Sequence, residues 1–482
     1  MTNNSGSSSQ LDVPNAGLRM VARWGLWINL ATFMIGYATG VISGALLYIR
    51  GDLDLHDAQQ GLVTSILLLG ALVAAMFTGG LADRFGRKAV LGCAGLLFAV
   101  GFSVSALATG FTVLVLGRLV MGFGVGIASA LVPTYLGEIS PPQIRGRMLT
   151  LNQLLQTVGM LVAYVVNLAF SGSGDWRAMF WVGAIPAVLL VLIVRRLPET
   201  PAWLIAQGRI DEARTTIGSV VGAAGAEKVI EHFRHQEEER QRLRKQDNSP
   251  ERKGWRVLLA PRVRPALVVA LGLAILQQFV GINTVLYYAP TIMEETGLSA
   301  SNSIVYSVII GIVNLTMTFV SLRLIDRLGR RPLLLISLIG MGISVALLGV
   351  SFIVDLGSVI LLVCMLVFVS SFAIGMGPVF WVILAEVFPP DAQAQGTGAG
   401  SAVSWLSNFI MSTAFLPLTG AIGSGPVFLI FAVICLVALI FVYRRVPETK
   451  DRDFARIDED LQSRAGRHVS GAAATQHRSP DL

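Results

Sequence analysis

GGLADRFGRK, residues 79–88, and LRLIDRLGRRP, residues 322–332, set the same charges around a glycine, each just after a long apolar run. Two further pairs follow in the same order. LGEISPPQIRG (136–146) matches LAEVFPPDAQAQG (384–396), and RRLPETP (195–201) matches RRVPETK (444–450). Asp83 and Asp326, Glu138 and Glu386, and Glu199 and Glu448 are separated by nearly the same length of chain. Three ordered matches at a near-constant offset read as a tandem repeat.

What repeats is set by composition. Of 482 residues, 54% are hydrophobic and only 14% charged, whereas a soluble chain carries about a quarter charged residues. Apolar blocks recur from end to end, each near the roughly 20 residues that cross a bilayer as a helix. Unpaired backbone cannot face lipid, so these blocks are expected to be helices. Twelve are expected, at roughly 24–49, 60–82, 89–109, 111–136, 149–170, 177–195, 264–291, 302–325, 333–353, 358–386, 396–419 and 425–443. The fold class is therefore an all-α membrane protein with twelve transmembrane helices in two six-helix, pseudo-symmetric halves. The domain plan runs as an N-terminal tail (1–23), a first bundle (24–195), a helical linker domain (196–263), a second bundle (264–443) and a C-terminal tail (444–482). The first apolar block is too long for a signal-peptide core and is read as retained.

The net charge of +7 is distributed by topology rather than gathered for nucleic acid. Arg and Lys crowd the N-terminal stretch, Arg84/Arg87/Lys88, Arg145/Arg147, the 196–263 loop, Arg327/Arg330/Arg331 and the C-terminal tail. The alternate loops carry Asp52, Asp54, Asp57, Asp175, Glu294, Glu295 and Asp355. That asymmetry predicts both termini in the cytoplasm of a multi-pass protein, with the cell (plasma) membrane as the expected location. Cys93, Cys364 and Cys435 share no ligand spacing, and all five histidines lie outside the spans. No metal or cofactor is expected. A membrane enzyme is also disfavoured, since the spans hold no paired carboxylates and no nucleophile–base pair.

The repeated charges suggest a mechanism. D-R-x-G-R places an acid and two bases in a tight turn, with Gly86 and Gly329 reversing the backbone. Asp83, Arg84 and Arg87 can pair with Glu138, Arg145 and Glu199; Asp326, Arg327 and Arg330 can pair with Glu386 and Glu448. A cluster with two packings is a two-state gate, here expected at the cytoplasmic ends. The plain alternative is loop solubility.

Taken with GYATGVISG, GRLVMGFGVG, PTYLGEISPPQIRGR, LNQLLQTVG, PETPAWL, QQFVGINTVLYYAP, GPVFWVILAEVFP and VPETK, in that order over about residues 25–450, the chain resembles the sugar porter family of the major facilitator superfamily. The resemblance implies a monosaccharide or polyol transporter working by alternating access as a monomer in the lipid bilayer. It also implies a hexose site lined by Gln153, Gln277, Gln278, Asn283, Asn314, Trp381, Trp405 and Asn408. The chemistry agrees. Amide side chains donate and accept without net charge, and Trp offers a pyranose a flat apolar face. The plain alternative for an intramembrane Gln or Asn is a helix–helix hydrogen bond. Gly281 and Pro290 bracket a stretch where the seventh span is expected to break.

Two departures from the family pattern stand out. Proton-coupled members carry an acid where this chain has Ala38, while the usual basic partner, Arg118, is present. Arginine stays protonated at any usable pH, so the expectation is facilitative uniport, with proton symport and a non-transporting sugar sensor as alternatives. Second, Gln393–Ala394 stands where the first half has Arg145–Gly146. This predicts a weaker second gate.

Overall fold

The structure is a computed structural model describing residues 13–222, 225–231, 254–389, 392–452 and 454–464. Among these residues twelve helices are long and apolar enough to cross a membrane. In chain order, spans 1 to 6 are Asn15–Asp52, Asp57–Phe85, Arg87–Ala106, Phe111–Ile139, Pro142–Ala169 and Trp176–Val194. Spans 7 to 12 are Arg264–Glu294, Ala300–Ile325, Arg330–Val354, Ser358–Glu386, Gln393–Ile422 and Ser424–Arg445. No strand occurs among the described residues.

Span 1 begins at Asn15, ahead of the expected residue 24, because its polar entry is an amphipathic helical piece, Asn15–Ile28, burying Gly17, Val21, Gly25 and Ile28. Between spans 6 and 7 lie the short helices Pro201–Ala206 and Ile210–Val221. Residues 225–231 are helical too, and Ile217, Ala226 and Ile230 form a small apolar cluster there. Residues 232–253 of this loop lie outside the described residues, as do residues 1–12 and 465–482 of the tails.

By contacts the chain divides into two compact units. One comprises Met1–Pro250, Asn283–Leu315 and Asn408–Ala421; the other comprises Glu251–Ile282, Thr316–Ser407 and Ile422–Leu482. In the first unit, small residues bring backbones together. A Cβ at Gly36 would lie 1.8 Å from the Gln156 carbonyl oxygen, and one at Gly159 would lie 2.1 Å from that of Phe33, so spans 1 and 5 touch backbone to backbone. Spans 2 and 4 do the same through Gly122 against Leu67 and Gly126 against Ala71, each at 2.2 Å. Such close approach maximises dispersion contacts where no hydrophobic effect drives helices together. The same unit holds the ends of spans 7 and 11 by polar links. Tyr164 donates to the Leu286 carbonyl at 2.8 Å, the Ser65 and Thr413 hydroxyls lie 2.6 Å apart, and Arg50 pairs with Glu294 at 2.5 Å.

In the second unit span 9 packs on span 12, with Gly349 and Gly425 facing one another's backbone. The opposite face of span 9 exposes Ile336, Ile339, Ile343, Leu347, Val350 and Val354. They recur every three to four residues, one stripe along the helix. An apolar stripe of that length suits acyl chains, not water.

Candidate substrate residues and charged clusters

Span 7 is two helices, Arg264–Phe279 and Ile282–Glu294, with the break at Val280–Gly281; the first of them belongs to the second unit. Gly281 has φ +89°, and a Cβ there would lie 2.4 Å from the Phe431 ring. Both facts demand glycine. Pro290 lies inside the following helix. The break leaves Gln277 and Gln278 at the end of a helix, 3% and 8% exposed. Span 10 also breaks, at Gly375, where a Cβ would lie 2.5 Å from the Leu333 carbonyl oxygen. The amide of Gln277 donates to the Met376 and Gly377 carbonyls just beyond that break, at 3.2 and 3.4 Å. Gln278 donates to the Gln277 side-chain oxygen at 3.1 Å and to Ser404 Oγ at 3.0 Å. The two glutamines thus differ. Gln277 ties its own helix end to the start of the second helix of span 10, while Gln278 itself donates to the Ser404 hydroxyl. Trp381 packs edge-on to Phe380, with ring centroids 4.9 Å apart, yet is 43% exposed. Trp405 is half-buried.

The remaining expected residues belong to the first unit. Asn408 is buried, donates to Tyr287 Oη at 3.5 Å and accepts from Ser412 Oγ at 3.0 Å. Asn283 and Asn314 are half-buried and Gln153 is exposed. Its neighbour Asn152, outside the expected set, accepts from the Thr32 hydroxyl. Ser404 and Tyr287, which meet Gln278 and Asn408, are likewise outside that set. Hydroxyls in apolar helices are common, and only their position beside an amide marks these.

Arg118, 1% exposed, donates from Nε to the Val63 carbonyl at 3.1 Å. Its terminal nitrogens donate to the carbonyls of Ala38 at 2.7 Å and Thr64 at 3.1 Å. A buried guanidinium without such acceptors would cost several kcal/mol. Here backbone dipoles of spans 1 and 2 do what a carboxylate would.

The charged motifs assemble one cluster in each unit. In the first, Arg87 reaches the Glu138 carboxylate with Nε at 3.0 Å and a terminal nitrogen at 2.9 Å, and Asp83 at 3.1 Å. The Glu199 carboxylate accepts from the backbone N–H of Arg87 at 3.0 Å and of Lys88 at 3.1 Å. Those amides open the span 3 helix, whose N-cap is Gly86, a residue with no side chain to cap it. A helix N-terminus attracts an anion through its free amides and dipole, and Glu199 supplies one from a distant part of the chain. In the second unit Arg330 pairs with Glu386 at 3.0 Å, and Glu448 accepts from the backbone N–H of Arg330 at 2.9 Å and of Arg331 at 3.1 Å. Lys88 donates to the Arg195 carbonyl and Arg331 to the Tyr443 carbonyl, a further repeated pair.

Not every expected partner joins. Arg145 donates to the Ser140 carbonyl at 3.3 Å, and Arg84 lies over the Phe85 ring at 5.1 Å. Arg327 contributes its carbonyl, which accepts from Lys450 at 3.0 Å. The side chain of Asp326 lies outside the described residues. Gln393 donates to the Ala385 carbonyl at 2.6 Å.

Twelve apolar helices with charged motifs repeated at equivalent span ends define a multi-pass membrane transporter. Comparison with known proteins gives the family. Residues 24–461 match the family described as "Sugar (and other) transporter". A Bacillus subtilis (strain 168) protein named for metabolite transport is 40% identical over 447 residues, covering 92% of this chain and 95% of that one. A D-xylose transporter of Levilactobacillus brevis is 35% identical, covering 93% and 97%. Among solved structures, the inward-open xylose transporter XylE from E. coli superposes with a TM-score of 0.77 at 28% identity, covering 92% and 99%. The chain belongs to the sugar porter family of the major facilitator superfamily.

Proposed function

We propose that this protein carries a monosaccharide or related polyol across the cell membrane by alternating access, as a facilitative uniporter. The moving parts are two six-helix halves, residues 24–195 and 264–443, acting within a monomer whose termini are cytoplasmic. Sugar hydroxyls are bonded by Gln153, Gln278, Asn283, Asn314 and Asn408, with Trp381 and Trp405 offering apolar faces. Gln277 holds the frame on which Gln278 sits. The named relatives support the substrate class.

The observation that carries the uniport reading is the environment of Arg118. Its guanidinium is satisfied by three main-chain carbonyls, and Ala38 occupies the place of the family's coupling acid. Carbonyls do not titrate, and Arg keeps its proton, so this centre offers no group to load and release a proton. In proteoliposomes, labelled sugar is expected to exchange by counterflow with no accompanying alkalinisation outside. Stoichiometric proton uptake on sugar addition would assign symport, and absent counterflow would assign a sensor.

A further inference from the structure

We propose that Arg264, Arg445 and Arg464 form a binding site for the phosphate of an anionic lipid headgroup. This lies apart from the sugar residues and does not depend on what the transporter carries. The three arginines line a recess of about 250 Å3, closed by Pro265, Val268, Val269 and Leu461. Each comes from a different element of the second unit. Arg264 opens the span 7 helix, Arg445 ends span 12, and Arg464 ends the short helix Phe454–Arg464. That helix is docked by Ile457 and Leu461, both buried and one turn apart, so the third arginine is held in place.

The recess is electropositive. Arg264 donates to the Leu259 carbonyl at 3.3 Å, Arg445 to the Arg464 carbonyl at 3.3 Å, and Arg464 to the Tyr443 carbonyl at 3.4 Å. A carbonyl accepts one N–H and leaves the charge in place. Asp460 pairs with Arg464 at 2.8 Å but is shared with Arg452 at 3.3 Å. Planar guanidinium forks match phosphate oxygens, and basic pockets between membrane helices hold anionic headgroups.

The apolar wall decides between a lipid and a soluble phosphate. Val268 lines the recess yet is 52% exposed, and Ile275, two turns along the same face, is exposed too. Together they form an apolar track leading from the arginines along span 7, which suits an acyl chain and offers nothing to a free anion.

The test uses the full chain in detergent. Binding of phosphatidylglycerol, phosphatidylcholine and inorganic phosphate is measured by native mass spectrometry and by the shift in unfolding midpoint. Phosphatidylglycerol is expected to bind and stabilise, with phosphatidylcholine and inorganic phosphate far weaker. Arg264→Gln, Arg445→Gln and Arg464→Gln should each weaken phosphatidylglycerol about fivefold. Val268→Ser should weaken the lipid without changing phosphate. Equal retention of the two lipids, or variants that bind phosphatidylglycerol like the parent, overturns the site. Inorganic phosphate matching the lipid overturns the lipid assignment. Should an arginine variant not fold, the preference of the unmodified protein between the two lipids still decides.

Discussion

Glu199 closes the N-terminus of the span 3 helix, its carboxylate 3.0 Å from the amide of Arg87. Glu448 repeats the arrangement on Arg330 at 2.9 Å. The recurrence of P-E-T at the end of each half therefore has a physical cause. A helix that begins at a bare glycine borrows its cap from 100 or more residues downstream, and that cap ties the charged turn to the end of the last span of its half.

Gly86 has φ +92°, and a Cβ there would lie 2.3 Å from Glu199 Oε2. Gly86→Ala is expected to destabilise the protein by about 1–3 kcal/mol through backbone strain alone, and further by displacing the carboxylate. Gly329→Ala should cost less, because the corresponding approach to Glu448 is 2.8 Å. Unfolding midpoints in detergent check the order, and a Gly86→Ala protein as stable as the parent would contradict it.

Arg87 and Glu138 are a part-buried, two-contact pair, with side chains 12% and 20% exposed. A double-mutant cycle with Arg87→Ala and Glu138→Ala should return a coupling of about 1–3 kcal/mol. The cycle on Arg330 and Glu386, whose carboxylate is more exposed at 32%, should return less. Additive single mutants at the first pair would show that its geometry carries no energy.

Arg118→Met removes the donor from three main-chain carbonyls at once. Those carbonyls lie mid-helix and keep their helical N–H partners. What is lost is charge-assisted bonding of about 1.5–3 kcal/mol each, offset in part by the recovered desolvation cost of the guanidinium. A net destabilisation of about 1–3 kcal/mol is expected. An unchanged unfolding midpoint would show that these bonds carry no net stability.

Gln277 and Gln278 are neighbours with different partners. Gln277→Leu should lower the unfolding midpoint, since its side-chain hydrogen bonds between span 7 and the start of the second helix of span 10 are lost. Gln278→Ala and Asn408→Ala should instead raise the KM for sugar about five- to tenfold, the worth of one hydrogen bond of about 1 kcal/mol or slightly more. Transport kinetics alongside thermal unfolding separate the two effects. The reverse pattern would exchange the assignments.

Much of this was legible because membrane helices announce themselves by length and apolarity, and because the charged turns repeat. The seventh span's break falls at Gly281, one of the two residues expected to bracket it; the other, Pro290, lies inside the continuous helix Ile282–Glu294. The break at Gly375 is not expected from the apolar length of the block, although Gly377 and Pro378, which follow at once, mark it: proline lacks an N–H and suits the first turn of a helix. Arg145 shows another boundary. Its sequence places it near Glu138, but the helix beginning at Pro142 turns its side chain to the Ser140 carbonyl. Nor does any repeat reveal that residues 283–315 and 408–421 pack with the N-terminal helices. That grouping rests on contacts such as Tyr288 donating to the Ser412 carbonyl at 2.8 Å, which join parts of the chain with no shared motif.

The most direct measurement is the final level of labelled sugar inside proteoliposomes, taken with and without an imposed inward proton gradient. With Arg118 held by carbonyls and no acid at position 38, the inside concentration should rise to the outside concentration and stop there in both conditions. Accumulation above the outside level when the gradient is imposed would contradict the account.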